Sequence, residues 1–203
     1  MELNTLIAFF SFAFVASATP GPNNVLLTAT GASVGVSRGL PVLFGIVSGF
    51  AVMIFVLAIG LGKFIVARPD VLEAVRYAGI AFMLWLSWKI ASAPVATAET
   101  GADRGATTPA SGFWSAALFQ WVNPKAWLVI ASAIASFLQA GEESVRQAML
   151  FAVVFVIAGF LGCLPWLAFG AYIRRWLTAP RASRLFNALM GLILATSLLF
   201  IAP

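Results

Sequence analysis

Histidine is absent from the sequence, and cysteine occurs once, as Cys163. The absence of histidine removes the commonest general base and the commonest transition-metal ligand. A single cysteine excludes an internal disulfide and the paired-thiol chemistry of membrane oxidoreductases. Asp and Glu are missing from the middle of every long apolar segment. With so few reactive side chains, the sequence predicts that the protein is not an enzyme and uses no cofactor or metal ion.

Charged residues are also scarce, at 9% of the 203 residues, against about 25% in soluble domains. Apolar residues make up 62% of the chain, which leaves too little polar surface to coat a soluble globule. The sequence therefore predicts an integral membrane protein in a lipid bilayer. The net charge of +5 is typical of basic loops that orient such a protein. Nucleic-acid binding is not expected, because no basic cluster with interleaved aromatic residues lies outside the membrane flanks.

Prolines interrupt the first apolar segment, which covers about residues 3–33. A proline inside a helix removes a backbone donor and clashes with the preceding turn, at a cost of about 3 kcal/mol. In lipid the freed carbonyl groups find no water, so such a break persists only where protein or a wet cavity covers it. This first break is a candidate substrate-binding site, formed by Pro20, Gly21, Pro22, Asn23 and Asn24, with Thr19 beside it.

A second break interrupts the apolar segment at about residues 113–138. Asn123 before Pro124 predicts a helix N-cap followed by proline at the first helical position. Gly21 and Pro22 can play the same part at the first break. Each restarted helix offers N–H groups and a partial positive end, and two such ends suit a carboxylate. The amides of Asn23, Asn24 and Asn123 can add donors or accept from a substrate ammonium group.

Lys125 follows the second break, inside an apolar segment where a lysine costs roughly 2.5–3.5 kcal/mol. One interpretation is a fixed positive charge that faces the cavity, for a substrate carboxylate or as a protonation switch. The other is that Lys125 snorkels to the membrane surface, or that the segment consists of two short pieces with Lys125 at an interface. Gln120 flanks the same break and is a further candidate for the cavity wall. Both residues join Asn123 and Pro124 in the predicted substrate-binding set.

The two breaks divide the chain into similar halves, repeat one at about 1–93 and repeat two at about 112–203, joined by a polar linker at about 94–111. At about 20 residues per span, each half holds three transmembrane helices. An odd number of spans inverts the second half, as in many secondary transporters. The predicted fold is a single all-α transmembrane domain of six helices in two inverted three-helix repeats, with the first helix of each repeat broken.

Small residues recur at intervals of four in the first half, which is typical of close helix packing in membranes. Gly45 and Gly49 predict such a face in the second segment, and Gly31, Gly35 and Gly39 predict another if that stretch is helical, or a flexible connection if it is not. These faces also permit a homodimer. Lys and Arg are more frequent in the odd-numbered loops, which places those loops in the cytoplasm and both termini in the periplasm.

Six motifs are distributed along the sequence: Thr19–Asn24, Gly39–Leu40, Gly45–Gly49, Trp85–Lys89, Gly112–Trp114 and Phe119–Ala126. They resemble the LysE/RhtB family of amino-acid exporters, and the resemblance extends over nearly the whole chain. The doubled asparagine of the first break, the sequence Trp88–Ser92 and the Gly112–Trp114 start of the fourth segment resemble its cysteine/O-acetylserine branch most. This resemblance implies secondary active efflux of small neutral amino acids or derivatives, of the cysteine/O-acetylserine or homoserine/threonine type, across the bacterial inner membrane. It also implies proton coupling. The paired breaks in two inverted halves predict alternating access, in which one half rocks against the other.

Two questions stay open at the level of the sequence. The proton carrier is Lys125, Glu73 or the substrate itself, since no carboxylate lies in mid-segment. A channel or a metal-ion exporter of the same architecture is the alternative function. Such a cation pathway is expected to carry acidic side chains within the membrane, and the scarcity of these favours the amino-acid exporter.

Overall fold

A computed structural model describes residues 2–61, 69–93, 112–138, 144–177 and 179–200. Within these ranges the chain is helical and contains no β-strand. Short π- and 3₁₀-helical turns, Leu57–Leu61, Arg174–Trp176 and Ser197–Phe200, extend three of the helices. The helices are α1 (Leu3–Ala18), α2 (Pro22–Val56), α3 (Pro69–Ala91), α4 (Phe113–Val122), α5 (Pro124–Phe137), α6 (Ser144–Ile173) and α7 (Pro180–Thr196).

The chain reverses its direction within α2, at Gly35. This residue has φ 81° and ψ 178°, a conformation that glycine adopts without the steric cost other residues bear. Before Gly35 in the chain, Thr28 lies against the backbone of Gly170 in α6. Beyond it, Phe50 stacks on Phe155 with ring centroids 4.7 Å apart. A Cβ atom added to Gly39, after the turn, would lie 3.3 Å from Thr30 Cγ2, before the turn, whereas nine residues of continuous helix would separate them by about 13.5 Å. The two arms of α2, residues 22–34 and 36–56, therefore fold back on each other.

The three glycines predicted to share one helical face are separated by this reversal. Gly31 and Gly39 both lie against Leu167 of α6, so a packing role is confirmed for these two. Gly35 is the turn between the arms, which makes the prediction of one continuous face wrong. The reversal brings the two remaining glycines back to the same partner residue.

The second arm of α2 packs closely on α4 through the small-residue face that the sequence predicted. A Cβ atom added to Gly49 would lie 2.5 Å from the carbonyl oxygen of Ala117, and one added to Gly45 would lie 2.9 Å from Cβ of Ala116. Side chains do not tolerate such distances, so the two backbones approach only because both positions are glycine. The contact fixes α4, and with it the second break, against the centre of the bundle.

Helices α3 and α7 form a pair beside this bundle. A Cβ atom on Gly191 of α7 would lie 2.6 Å from the carbonyl oxygen of Ser87. Asn187 Nδ2 donates to the carbonyl oxygen of Ala93 at 3.3 Å. Gly79 of α3 lies against the carbonyl oxygen of Val122, at the end of α4. The pair therefore contacts the bundle close to the second break.

Two apolar clusters form the core. One contains residues from α2, α3, α4, α6 and α7, with Leu43, Met83, Phe119 and Leu167 at its centre. The other joins α1, α2, α5 and α6 around Phe9, where the ring centroids of Phe9 and Phe151 are 4.3 Å apart. These clusters hold the broken helices in place.

By length and composition, the stretches Pro22–Gly60 and Val145–Trp176 are able to cross a membrane. Three shorter helices, Leu3–Ala18, Tyr77–Ala91 and Pro124–Phe137, are also apolar. The all-helical, apolar character expected from the sequence is thus confirmed. The count of six spans and the inverted repeat stay predictions. The predicted linker at about 94–111 lies outside the described residues.

Candidate functional site

The two predicted breaks lie side by side in the structure. The first separates α1, which ends at Ala18, from α2, and the second is Asn123 alone, between α4 and α5. Asn23 Nδ2, just after the first break, donates to Gln120 Oε1, just before the second, at 2.9 Å. Lys125 Nζ, just after the second break, donates to the carbonyl oxygen of Thr19 at 2.8 Å. Four residues from distant parts of the chain therefore meet at one place.

Side chains from elsewhere bind the carbonyl groups that the first break exposes at the end of α1. Asn24 Nδ2 donates to the carbonyl oxygens of Ser17 and Thr19, at 2.9 and 2.7 Å. Trp166 Nε1 of α6 donates to the carbonyl oxygen of Ala18 at 3.0 Å. In an apolar setting, each unpaired carbonyl would cost several kcal/mol. The break therefore persists because these donors cover it.

Lys125 supplies the remaining donors at the first break. Its ammonium group donates to the Thr19 carbonyl, to Thr19 Oγ1 at 2.9 Å and to the Pro20 carbonyl at 3.3 Å. An ammonium group has three hydrogens, and all three are used. The positive charge also sits at the carboxyl end of α1, where the helix dipole is negative.

This arrangement resolves the two interpretations of Lys125. The apolar segment does consist of two helices, with Lys125 in the first turn of the second. The lysine lines the cavity as well, but its ammonium group is bonded to the first break and is not an unpaired charge. Gly21 leaves room for it, because a Cβ atom there would lie 2.8 Å from Lys125 Cδ and 3.1 Å from Nζ.

The amide side chains around the breaks bind one another. Gln120 Nε2 donates to Asn23 Oδ1 at 3.1 Å and to the carbonyl oxygen of Ala116 at 3.0 Å. Asn123 Nδ2 donates to the same Asn23 Oδ1 at 3.2 Å. Gln120 and Asn123 are 0% and 1% exposed. These amides link the two breaks in the state seen here, whereas the sequence suggested that they offer their groups to a ligand.

The two restarted helices differ in the donors they leave open. At the start of α5, Asn123 Oδ1 accepts from the backbone N–H of Lys125 at 3.1 Å, and the Asn123 carbonyl accepts from Ala126. The predicted N-cap is confirmed, and it closes this helix end. At the start of α2, Gly21 provides no side-chain cap, and the backbone N–H of Asn23 donates to no other residue in the part of the chain that the structure describes.

A cavity, whose volume of about 480 Å³ includes adjoining open solvent, lies between the breaks, the second arm of α2, and α6. Of the nine predicted site residues, five line it: Gly21, Asn23, Asn24, Asn123 and Lys125. The other four predicted residues do not line it. Pro20, Pro22 and Pro124 shape the breaks, and Gln120 is bonded to Asn23. The other lining residues are Ala16, Ser17, Ile46, Val47, Phe50, Ala126, Val129, Phe155, Gly159 and Cys163.

Sequence reasoning missed the contribution of α6 to this site. Cys163 is a small core residue, only 3% exposed, but it also lines the cavity. Its thiol lies 3.7 Å from the carbonyl oxygen of Ser17. The four-residue spacing of Gly159 and Cys163 on one helical face was the available signal, because small residues at this spacing mark a close approach. No comparable spacing in the sequence indicated that Trp166 lies at the site.

A model of the LysE type translocator family matches residues 14–200. The chain belongs to this family. It is similar to the cysteine/O-acetylserine efflux protein of Salmonella choleraesuis, with 28% identity over 97% of this chain and 95% of that protein. It is also similar to the protein of the same name from Escherichia coli O1:K1, with 29% identity over 96% of this chain and 95% of that protein. No solved structure matches.

Membership of the LysE family confirms the resemblance noted in the motifs. The family consists of translocators, so the protein is a membrane transport protein and not an enzyme. The apolar helices described above agree with that setting. The relatives carry the name of the branch that the doubled asparagine, Asn23 and Asn24, suggested.

Proposed function

We propose that the protein exports small neutral amino acids or their derivatives, of the cysteine and O-acetylserine type, across the bacterial inner membrane. The family match and the names of the relatives support export of this substrate class. The substrate site in this proposal is the cavity between the two breaks, and the predicted binding residues are those at its wall.

The observation that carries the proposal is the meeting of the two breaks around a small, mostly neutral cavity. Most of its lining residues are apolar side chains or glycine, and the polar ones other than Ser17 belong to the two breaks. Lys125 is the one charged residue among its lining residues, and that charge is balanced by the carboxyl end of α1. Such a wall suits a small zwitterion, whose two charges cancel, better than a cationic amino acid.

The proposed mechanism is alternating access between two inverted three-helix repeats. The contacts of the broken helices fit this arrangement, because Phe9 near the start of α1 packs on Phe137 at the end of α5, with ring centroids 5.2 Å apart. The broken helices thus run in opposite directions past each other. Only a few side-chain hydrogen bonds join the breaks, and such bonds can exchange as one repeat moves against the other.

Proton coupling is the further part of the proposal. No Asp or Glu is among the residues that line the cavity in the described part of the chain, and Glu73 is exposed on α3. The proton is therefore carried by Lys125 or by the amino group of the substrate. Loss of a proton from Lys125 would remove a donor from the first break, which would couple the proton to the shape of the site.

Transport by inside-out membrane vesicles tests the proposal. Vesicles with the protein are expected to take up labelled cysteine and O-acetylserine, lysine much less, and to lose this uptake when a protonophore removes the gradient. Vesicles without the protein are the control. Equal rates for all amino acids, or no uptake above the control, would refute the proposed substrate class. A single-channel conductance from the purified protein would support the channel alternative instead.

A further inference from the structure

Asn24 has an unused acceptor at the cavity. Within the described part of the chain, Asn24 Oδ1 is the one buried side-chain oxygen or nitrogen atom that has no hydrogen-bond partner. The residue is 2% exposed and lines the cavity. A buried acceptor without a partner costs about 1–3 kcal/mol. Such an atom at the wall of a binding cavity indicates a ligand that brings a donor.

The orientation of this amide group is fixed by its neighbours. Its nitrogen atom donates to the carbonyl oxygens of Ser17 and Thr19. A rotated amide would place its oxygen against two other oxygens and lose both bonds. The oxygen is therefore held as an acceptor, and the end of α1 cannot supply a donor for it.

The other amides at the site do not share this property. Oδ1 of Asn23 accepts two hydrogen bonds, from Gln120 and from Asn123. Asn123 Oδ1 accepts from the backbone of Lys125, and Gln120 Oε1 accepts from Asn23. Each of these oxygens has its partner within the protein. Asn24 Oδ1 alone among the amide oxygens of the two breaks is left for a ligand.

A primary ammonium group is the ligand group that fits this acceptor. It brings three donors and a positive charge, and hydrogen bonds from charged donors are about twice as strong as neutral ones. A carboxylate brings only lone pairs, which the amide oxygen repels. We propose that Asn24 Oδ1 accepts a hydrogen bond from the α-ammonium group of the transported substrate and so selects compounds that carry this group.

This inference rests on the proposed function. Because the oxygen atom is shielded from solvent in the state seen here, a ligand reaches it only when the cavity opens, as alternating access requires. The inference assigns the ammonium-binding atom within the site, which the family name and the names of the relatives leave open.

The assignment is tested with two competitors, one with and one without an amino group, in the wild-type protein and in variants of Asn24. Uptake of labelled cysteine into inside-out vesicles is measured in the presence of S-methylcysteine or of 3-(methylthio)propionate, which lacks the amino group. In the wild-type protein, S-methylcysteine is expected to compete about ten- to a hundred-fold better, which is the usual worth of a hydrogen bond to a charged group. In Asn24→Leu, the ratio between the inhibition by S-methylcysteine and that by 3-(methylthio)propionate is expected to fall towards one.

Two further variants separate ligand binding from packing. Asn24→Asp keeps an oxygen acceptor and loses the amide donors, so the preference for S-methylcysteine is expected to persist even where transport slows. Asn187→Leu removes an amide that is bonded to the Ala93 carbonyl and is absent from the cavity wall. Its ratio is expected to match that of the wild type.

The outcomes distinguish this inference from the proposed function. Wild-type vesicles that take up no cysteine would refute the function itself. Wild-type uptake that both compounds inhibit equally would overturn the inference alone. So would an Asn24→Asp protein without the preference, or an Asn24→Leu protein that retains it. If Asn24→Leu is not produced in folded form, the wild type and Asn24→Asp still decide the question.

Discussion

Each helix break leaves backbone groups without partners inside a helix, and the two breaks bind these groups in different ways. The second break is a single residue, and its cap is local, because Asn123 binds the backbone N–H of Lys125 two residues away. The first break covers residues 19–21, and only part of its cover is local, from Asn24. The rest comes from α5 and α6, from Lys125 and Trp166. The second break is thus capped within its own sequence, whereas the first also depends on distant helices.

Under the proposed alternating access, this difference indicates which break changes shape during transport. A locally capped break keeps its shape when neighbouring helices shift. A break covered by distant donors changes when those donors leave, and Lys125 is the donor with the most bonds to it. We therefore expect substitutions at the cover of the first break to affect transport, and substitutions at the cap of the second to affect stability.

The largest effect is expected from Lys125→Met. This change removes three hydrogen bonds from a charged donor, each worth about 1.5–3 kcal/mol, and leaves the Pro20 carbonyl uncovered. Transport is expected to fall at least about tenfold in the vesicle assay. Lys89→Met is the matched control, because Lys89 lies over Trp88 at the end of α3, 5.7 Å from the ring centroid. Normal transport by Lys125→Met at a normal protein level would contradict the role given to this lysine.

A smaller effect is expected from Gly21→Ala, which leaves Lys125 in place but obstructs its path. The new methyl group would lie 2.8 Å from Lys125 Cδ, so the ammonium group has to shift. Gly21 has an extended backbone, φ 174°, which alanine also adopts, so the effect comes from this contact alone. Transport is expected to fall several-fold.

Gly112→Ala is the control for this substitution. Gly112 is also an N-cap residue, and its added Cβ atom would make only an ordinary contact, 3.8 Å from Ser115 Oγ. Equal transport by the two alanine variants would show that the position of the lysine does not matter.

Asn123→Ala is expected to lower stability more than it lowers transport. The change removes the N-cap of α5, which is worth about 1 kcal/mol, and the hydrogen bond to Asn23. Thermal unfolding in detergent should show a lower midpoint, and Asn123→Ser, which keeps a capping oxygen, should recover most of the loss. An unchanged midpoint in Asn123→Ala would mean that the local cap does not stabilise this break.

The smallest effects are expected from two tryptophans that cover helix ends in the same manner. Trp166 Nε1 donates to Ala18 at the first break, and Trp127 Nε1 donates to Trp121 near the second, at 2.8 Å. Replacement of either by phenylalanine removes one bond of about 1 kcal/mol. Trp166→Phe is expected to slow transport as well, while Trp127→Phe lowers only the unfolding midpoint. The reverse pattern would contradict the contrast between the breaks.

The sequence was sufficient to predict both breaks and their pairing. Prolines in an apolar segment exclude a regular helix whatever surrounds them, and Asn123 before Pro124 is a local signal with a local outcome. The donors that cover the first break could not be predicted, because Trp166 and Lys125 reach it only through the packing of α5 and α6. The sequence left Gly35 open between a packing face and a connection for a similar reason, since a glycine spaced for helix packing and one at a turn look alike in sequence.

Cys163 offers the most direct test of the claim that the cavity between the breaks carries the substrate. It is the only cysteine in the chain, and it lines the cavity. Because it is buried in the state described here, a small permeant maleimide labels it only while the cavity is open. We predict that O-acetylserine slows the labelling of Cys163, with half the effect at the concentration that gives half-maximal transport. A labelling rate that stays the same at saturating O-acetylserine would contradict this site.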